Sequence, residues 1–389
     1  MRHWRSARRA VATAIAATVV SVAAAGAASA GPATLYVSPH GSDSAPCSSV
    51  MPCRTISHAV SVAPGGATIV VRHGTYAEDV IVQTKLHLVG SGRPVINAAG
   101  KLNGVVLAGP GSVGSSVRGF MIENATQEGV VALNTSWVVI RGNLVMHNDQ
   151  GMFSSSPTGE CAPVGQIPGD CGEGIHLMTV AHSRVIGNQV TGNSGGILMT
   201  DEFGPTHANL VGWNRVWQNQ FDCGITVPGH SPNAVSSTGV PQPAMAGVYG
   251  NWIVHNTVTR NGLKGEGAGI LIAAAQPGSG SYNNVIAWNT AVGNSLAGVV
   301  VHSHTPNQDV NGNLVIGNRL SHNNVNGDPD AGLHHTADVL VFSAVSPIQG
   351  TVVRGNWLSN AVFGIWTLNA HAMLHGNHYA NVTHPVHQG

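Results

Sequence analysis

Acidic and histidine side chains recur just after a Gly-Ile or Gly-Val dipeptide that repeats through the second half of the chain. Counted from the Gly of each dipeptide, Thr200 and His302 come four positions later, Asp201 and Ser303 come five, and Glu202, His230 and His304 come six. If the repeats stack, equal spacing brings such side chains together in adjoining repeats. The candidate catalytic residues are therefore Asp201, Glu202, His230 and His304.

Three chemistries are compatible with this group. A carboxylate pair could act as acid and base on a glycosidic bond, and a separation of about 5 Å or about 6.5–9.5 Å would distinguish retention from inversion. His230 or Lys264 could instead abstract the proton next to a uronate carboxylate, and bound Ca²⁺ would then offset the acidic surroundings. His302 and His304, together with Asp201 or His230, could hold a transition metal.

Other polar side chains near the same dipeptides are predicted to bind substrate. The acidic residues after Asn143 flank these dipeptides, whereas the arginines lie beside Asn-containing segments. A lone histidine is more often an ordinary solvated side chain, so the prediction depends on the group as a whole. The candidate substrate-binding residues are His176, His207, Lys264, Glu266, His302 and Asp309.

A repeated Asn motif supplies the framework for these residues. The repeats are GNLVMHN (142–148), GNQVTGN (187–193), WNRVWQN (213–219), HNTVTRN (255–261), WNTAVGN (288–294), GNRLSHN (317–323) and a shorter GNWLSN (355–360). Strands of three to five β-branched residues separated by Asn and Gly, without helical periodicity, are typical of a solenoid. We therefore predict an all-β, right-handed parallel β-helix with stacked Asn ladders.

Uneven repeat lengths favour a solenoid over a propeller. The first Asn of each motif falls at 143, 188, 214, 256, 289, 318 and 356, whereas closed propeller blades need more uniform repeats. The extra residues lie on both sides of the Gly-Ile strand, at 152–173, 228–250, 273–282, 302–312 and 324–337. Insertions confined to one face of a solenoid usually build its binding surface.

The N-terminal part carries a family resemblance. The segments LYVSPHGSDSAPC (35–47) and PCRTISHAVSVAPGGATIVVRHGTYAEDVIV (52–82) resemble the opening of exported β-helix proteins of the pectate-lyase-like superfamily. The resemblance implies that a short helix over 55–63 caps the open end of the core. The family usually has Asp where this chain has Ala67. Its fold hosts lyases, hydrolases, epimerases and non-catalytic proteins, so the activity must be argued from the site.

Two signatures of related enzymes are missing from the sequence. It lacks the Asp-Asp and His-Gly combination that polygalacturonases carry, and it has no Arg near Lys264 of the kind that alginate-lyase-like sites place beside their catalytic Lys. The resemblance therefore does not select one named activity.

The first thirty residues have the pattern of a secretory signal. A basic start at 1–9 precedes an Ala/Val-rich run, and Ala28-Ser29-Ala30 offers a cleavage site. We predict a signal peptide over 1–30 and a secreted, extracellular single domain over 31–389, with 31–66 as its N-terminal cap region. No later segment is apolar for long enough to remain in a bilayer.

Export permits disulfides, and five cysteines are present. We predict the pairs Cys47–Cys53 and Cys161–Cys171. Cys171–Cys223 competes with the second pair, because both cysteines follow an Asp and precede a Gly. Sequence alone does not fix the connectivity.

The composition of the chain limits the classes of molecule that it could bind. The chain has 17 basic and 17 acidic residues and only three lysines, so it lacks the basic footprint of a nucleic-acid-binding protein. We predict a monomer that acts on an extracellular polysaccharide by lyase or glycoside hydrolase chemistry, with Ca²⁺ as the candidate cofactor. A non-catalytic cell-envelope or glycan-binding protein and a metal-handling accessory protein are the alternatives.

Overall fold

A computed structural model describes residues 33–148 and 172–389. The predicted signal peptide and the predicted partners Cys161 and Cys171 lie outside these ranges. The strands on the two sides of the gap are direct neighbours, because Val139–Arg141 pairs with Arg184–Ile186. The described part of the chain is a right-handed parallel β-helix, as the repeat predicted.

Most coils contribute one short strand to each of three parallel stacks of strands, called sheets 1, 2 and 3 here, and long C-terminal strands join the second and third. Sheet 1 consists of Thr34–Val37, Thr68–Arg72, His87–Ser91, Ser116–Arg118, Val139–Arg141, Arg184–Ile186, Leu210–Gly212, Trp252–Val254, Val285–Ala287, Leu314–Ile316, Ile348–Arg354 and Ala370–His375. Sheet 2 consists of Thr75–Tyr76, Val95–Asn97, Met121–Glu123, Leu144–Met146, Gln189–Thr191, Arg215–Trp217, Thr257–Thr259, Thr290–Val292 and Arg319–Ser321.

Sheet 3 contains the strands that begin at the Gly-Ile dipeptides. It consists of Val80–Val82, Val105–Ala108, Val130–Ser136, Glu173–Ala181, Gly195–Thr200, Ile225–Gly229, Ile270–Ala274, Val299–Ser303 and Ala337–Ser343. The long strands Trp357–Leu368 and His378–Gln388 extend both sheet 2 and sheet 3. Three short strands follow sheet 3 in successive coils: Thr206–His207, Val248–Tyr249 and Ser281–Tyr282.

Successive side chains of each strand point alternately into the core and toward the surface. In sheet 3 one inward position is filled by a β-branched Ile or Val in coil after coil, and each of these side chains is fully buried. This column consists of Ile175, Ile197, Ile225, Ile270, Val299, Val339 and Ile365. Each coil's core is therefore completed by its neighbours, and the outward positions remain available for a site.

Asparagine ladders close the turns between the sheets. Asn256, for example, accepts bonds on Oδ1 from the backbone N–H and the side-chain amide of Asn214, both at 3.0 Å. Its own amide donates to the carbonyl of Val211 at 2.9 Å and to Oδ1 of Asn289 at 3.0 Å. Each ladder residue thus satisfies buried polar groups in two other coils, and the predicted ladders are confirmed.

The N-terminal end has the expected helix and disulfide. The helix Ile56–Val62 begins after Thr55, whose hydroxyl accepts a bond from the backbone N–H of His58. Ile56 and Ala59 of this helix are buried in the core. Cys47 and Cys53 form the predicted disulfide. Within residues 33–148 and 172–389, no helix has the length and apolar character needed to cross a membrane.

Candidate functional site

The outer face of sheet 3 brings together the polar residues of four consecutive coils. His176 lies between the inward residues Ile175 and Leu177, so its ring points outward. Nε2 of His176 lies 2.8 Å from the hydroxyl of Thr200 in the next coil. Thr200 in turn bonds the Glu202 carboxylate. A chain of polar contacts therefore runs across adjoining coils.

Glu202 and His230 form the most accessible part of this chain. Oε1 of Glu202 lies 2.6 Å from Nδ1 of His230, and the two side chains are 30% and 12% exposed respectively. Burial alone would raise the pKa of Glu202, but the bond from His230 and the charges of His230 and His176 lower it to about 2. The ionised Glu202 carboxylate therefore holds the proton of His230 on Nδ1 and makes Nε2 the basic nitrogen.

Asp201 has a different environment from its neighbour Glu202. It is fully buried, and its Oδ1 accepts the backbone N–H groups of His230 at 2.6 Å and Ser231 at 3.0 Å. Its Oδ2 accepts the N–H of Gly247 at 2.6 Å. Burial raises its pKa against the effect of these three bonds. The Asp201 carboxylate therefore joins both ends of the 228–250 insertion and has no surface facing solvent, which differs from the catalytic role expected for it.

A second polar group lies deeper, at the start of the sheet 3 strands. Nδ1 of His176 is 3.2 Å from Oε1 of Glu128, and one ligand atom from each of Glu128, Glu173 and His176 lies within 4.8 Å of the other two. All three side chains are buried. Gly195 makes room beside them, since a Cβ there would approach Oε1 of Glu173 to 3.0 Å.

The predicted histidines of the later coil are brought together but form a separate pair. The rings of His302 and His304 meet edge to face with centroids 4.8 Å apart, and Nε2 of His304 lies 3.4 Å from Asp330. Burial and the neighbouring His304 lower the pKa of His302 to about 3. His302 lies two strands beyond Pro228 in the register of sheet 3. Of the described residues, none completes a metal-binding group of three with this pair.

The remaining predicted binding residues are distributed over both edges of sheet 3. Lys264 and Glu266 are exposed and precede the strand Ile270–Ala274, so they lie at the edge opposite Glu202. The Lys264 ammonium bonds the side chain of Gln220. Asp309 is almost fully buried, and its Oδ1 accepts the N–H of Asn311 at 3.0 Å.

Two aromatic columns cover the outer turns of the helix. The rings of Trp213, His255 and Trp288 stack in sequence with centroids 5.2 Å apart. A second column contains His182, His207 and Tyr249, so His207 packs between rings. Ring faces within a column are covered by their neighbours. The rings therefore stack between coils and stabilise the turns.

Glu128 and Glu173 are residues of this group that the sequence did not single out. The chain reads Glu128-Gly129-Val130 and, one coil later, Glu173-Gly174-Ile175, so both glutamates lie two positions before the paired residues Val130 and Ile175. The repeated Asn motif begins at Asn143, so the coil of Glu128 does not align with it. That shared Glu-Gly-aliphatic pattern was the available signal.

Fold and site define a parallel β-helix protein with an acidic and histidine-containing outer face. The chain belongs to the family described as periplasmic copper-binding protein (NosD), which matches residues 111–330. A 75-residue stretch is 37% identical to the uncharacterized protein YwoF of Bacillus subtilis (strain 168). It covers 19% of this chain and 15% of that relative's length.

Solved structures show the same fold at low identity. The catalytic domain of a GH87 α-1,3-glucanase in complex with nigerose has a TM-score of 0.56 and 11% identity, over 92% of this chain and 67% of that one. Pectate lyase Pel9A has a TM-score of 0.52 and 17% identity, over 89% of this chain and 80% of that one. At such identities the likeness concerns the fold alone.

The family description raises the question of copper. Copper(I) favours thiolate and thioether ligands. Burial and the neighbouring Asp222 raise the pKa of Cys223 well above its ordinary value, which keeps its thiol protonated. Two groups of three possible ligands occur in the described part of the chain. One contains the disulfide Cys47–Cys53, and the other contains two carboxylates and His176. These residues do not fit a copper(I) site.

Proposed function

We propose that the protein is exported and cleaves a uronate-containing polysaccharide by β-elimination, with His230 as the base. The Glu202–His230 hydrogen bond of 2.6 Å at the partly exposed edge of sheet 3 carries this proposal. A general base needs a defined basic nitrogen, and the ionised Glu202 carboxylate on Nδ1 leaves Nε2 of His230 as that nitrogen. Nε2 is buried in the free protein, so substrate binding has to turn the ring outward before the proton is transferred.

The same geometry favours elimination over hydrolysis. A hydrolase would need two carboxyl groups on either side of the glycosidic bond. Asp201, the obvious partner of Glu202, is buried and bonded to three backbone N–H groups. In elimination, Nε2 of His230 takes the proton next to the uronate carboxylate. The electron pair forms a carbon–carbon double bond, and the glycosidic oxygen leaves and takes a proton from water.

The negative charge of the site affects how a polyuronide could bind there. Glu202 and Asp330 give this edge negative charge that would repel a polyuronide. Ca²⁺ bound between enzyme and substrate carboxylates would remove that repulsion, because it accepts oxygen ligands from both. We assign substrate contacts to His207, His302 and His304 along this edge, and to Lys264 and Glu266 at the opposite edge. Asp309, expected to bind substrate, is buried and instead holds the loop at Asn311.

Location and assembly belong to the same proposal. The signal-like segment 1–30, the disulfide Cys47–Cys53 and the periplasmic description of the family support an extracellular or periplasmic compartment. We propose that residues 31–389 form a single domain that acts as a monomer.

The test is turnover of polyuronides and neutral glycans, with and without Ca²⁺, followed by unsaturated-uronate absorbance and by reducing ends. We expect unsaturated products from a polyuronide, and a loss of at least about 10²-fold in turnover for His230→Gln and Glu202→Gln. His73→Gln, at an exposed site near the N-terminus, is the matched control.

The possible outcomes separate the alternatives. Reducing ends without unsaturated products would show that the protein hydrolyses the glycan and does not cleave it by elimination. Glycan binding without products would favour the non-catalytic protein. Full turnover in folded His230→Gln would refute the assigned base.

A further inference from the structure

The buried group Glu128, Glu173 and His176 has the composition and spacing of a cation site. Glu128 lies two residues before the sheet 3 strand Val130–Ser136, Glu173 is the first residue of the adjacent strand Glu173–Ala181, and His176 follows two positions after Gly174. Their ligand atoms lie within 4.8 Å of one another, and the three residues are 1%, 0% and 3% exposed. Carboxylate and imidazole ligands bind Zn²⁺ at about 2.0–2.2 Å, so one ion between these atoms would reach all three after small side-chain movements.

The group contains a buried carboxylate oxygen with no partner. Nδ1 of His176 lies 3.2 Å from Oε1 of Glu128. Oε2 of Glu128 is also buried, and it has no hydrogen-bond partner among residues 33–148 and 172–389. Buried carboxylates are ordinarily paired with a base or a metal ion.

His176 is oriented as metal-binding histidines usually are. Its Nδ1 faces Glu128, while its Nε2 lies 2.8 Å from the hydroxyl of the fully buried Thr200. A ligating histidine typically donates its second ring N–H to an oxygen acceptor, which fixes the tautomer and leaves the other nitrogen for the metal. Thr200 is such an acceptor.

We propose that Glu128, Glu173 and His176 bind one divalent cation of the Zn²⁺ type, with Thr200 as the positioning residue for His176. The two carboxylates favour a harder ion than copper(I). This site is distinct from the proposed base His230, and the inference does not rest on polysaccharide cleavage.

The experiment is isothermal titration of the purified, chelator-treated exported protein with Zn²⁺. We expect one ion per chain, with affinity lowered at least about 100-fold in His176→Gln and in Glu128→Gln. Thr200→Val removes only the hydroxyl acceptor and is expected to weaken binding about 10- to 100-fold. His73→Gln, at an exposed histidine near the N-terminus, is the matched control and should bind as the wild type does. Zn²⁺ should raise the melting temperature of every variant that binds it.

Absence of stoichiometric Zn²⁺ binding by the wild type would overturn the proposal. Equal affinity in His176→Gln and His73→Gln would overturn it too. If His176→Gln does not fold, Thr200→Val decides, because unchanged affinity in that variant refutes the assigned geometry. Binding of copper(I) without binding of Zn²⁺ would refute the assigned ion. Since the readout is binding, these results are independent of whether any glycan is cleaved.

Discussion

Asp338 is expected to make the stability of the protein fall as the pH rises. It occupies the end of an asparagine ladder, where its Oδ1 accepts the amide of Asn323 at 3.0 Å and its Oδ2 accepts the N–H of Ser359 at 2.9 Å. Asp338 is fully buried. Burial outweighs these bonds and raises the pKa of the carboxyl to about 7.

The magnitude follows from the difference between the folded and unfolded pKa values. The unfolded chain releases this proton near pH 4, whereas the folded protein keeps it until about pH 7. Between these values the folded state binds more protons, so rising pH favours unfolding. The contribution is fully present below pH 4 and is lost by pH 7, at about 1.4 kcal/mol per pH unit and about 4 kcal/mol in total.

The perturbation is Asp338→Asn, which removes the titrating group and keeps the shape of the side chain. Urea unfolding at pH 5, 6, 7 and 8 gives the free energy of unfolding of each protein. From pH 5 to pH 7 the wild type should lose about 2–3 kcal/mol more than the variant does. Asp330→Asn, at a side chain that is 55% exposed, should follow the wild type. Parallel pH profiles for wild type and Asp338→Asn would refute the reasoning.

Two further predictions concern buried polar groups. Asn256→Ala removes four hydrogen bonds from the interior of a ladder and should lower the free energy of unfolding by about 3–5 kcal/mol, measured by urea denaturation. A loss below about 1 kcal/mol would contradict the structural role of the ladder. Asp201→Ala leaves three backbone N–H groups without their acceptor and should speed limited proteolysis within 228–250, while the sheets remain protected. Unchanged cleavage rates would show that the insertion is held by other contacts.

The fold could be predicted because its determinants repeat. Each Asn pair and each Gly-Ile dipeptide has the same neighbours in every coil, so one periodic pattern specifies strand, turn and inward residue together. The same periodicity placed Glu202 next to His230, since both lie six positions after the Gly of adjoining coils.

The role of Asp201 could not be predicted, because its environment is set by an insertion. The N–H donor of Gly247 lies 46 positions further along the chain. The insertion 228–250 is longer than those that follow the same strand at 273–282 and 302–312, so no periodic rule describes its path. Spacing alone makes Asp201 and Glu202 equivalent, whereas the fold buries the first and leaves the second partly exposed.

The outer face of sheet 3 changes character along the helix axis, and this limits where a polymer could be processed. The polar contacts extend from the coil of Glu128 to the coil of His230, which are three spacings of about 4.8 Å apart. In later coils the outward positions are mostly apolar, with His302 as an exception, and Leu340 packs there with Leu333 of the 324–337 insertion. Glu128, His176 and Thr200 are buried, so a substrate lying along the axis would meet Glu202 and His230, and then His302 and His304 two coils further on. Two coil spacings are about 10 Å, which suits a few sugar units, so we expect the proposed activity to depend on short-range recognition next to His230.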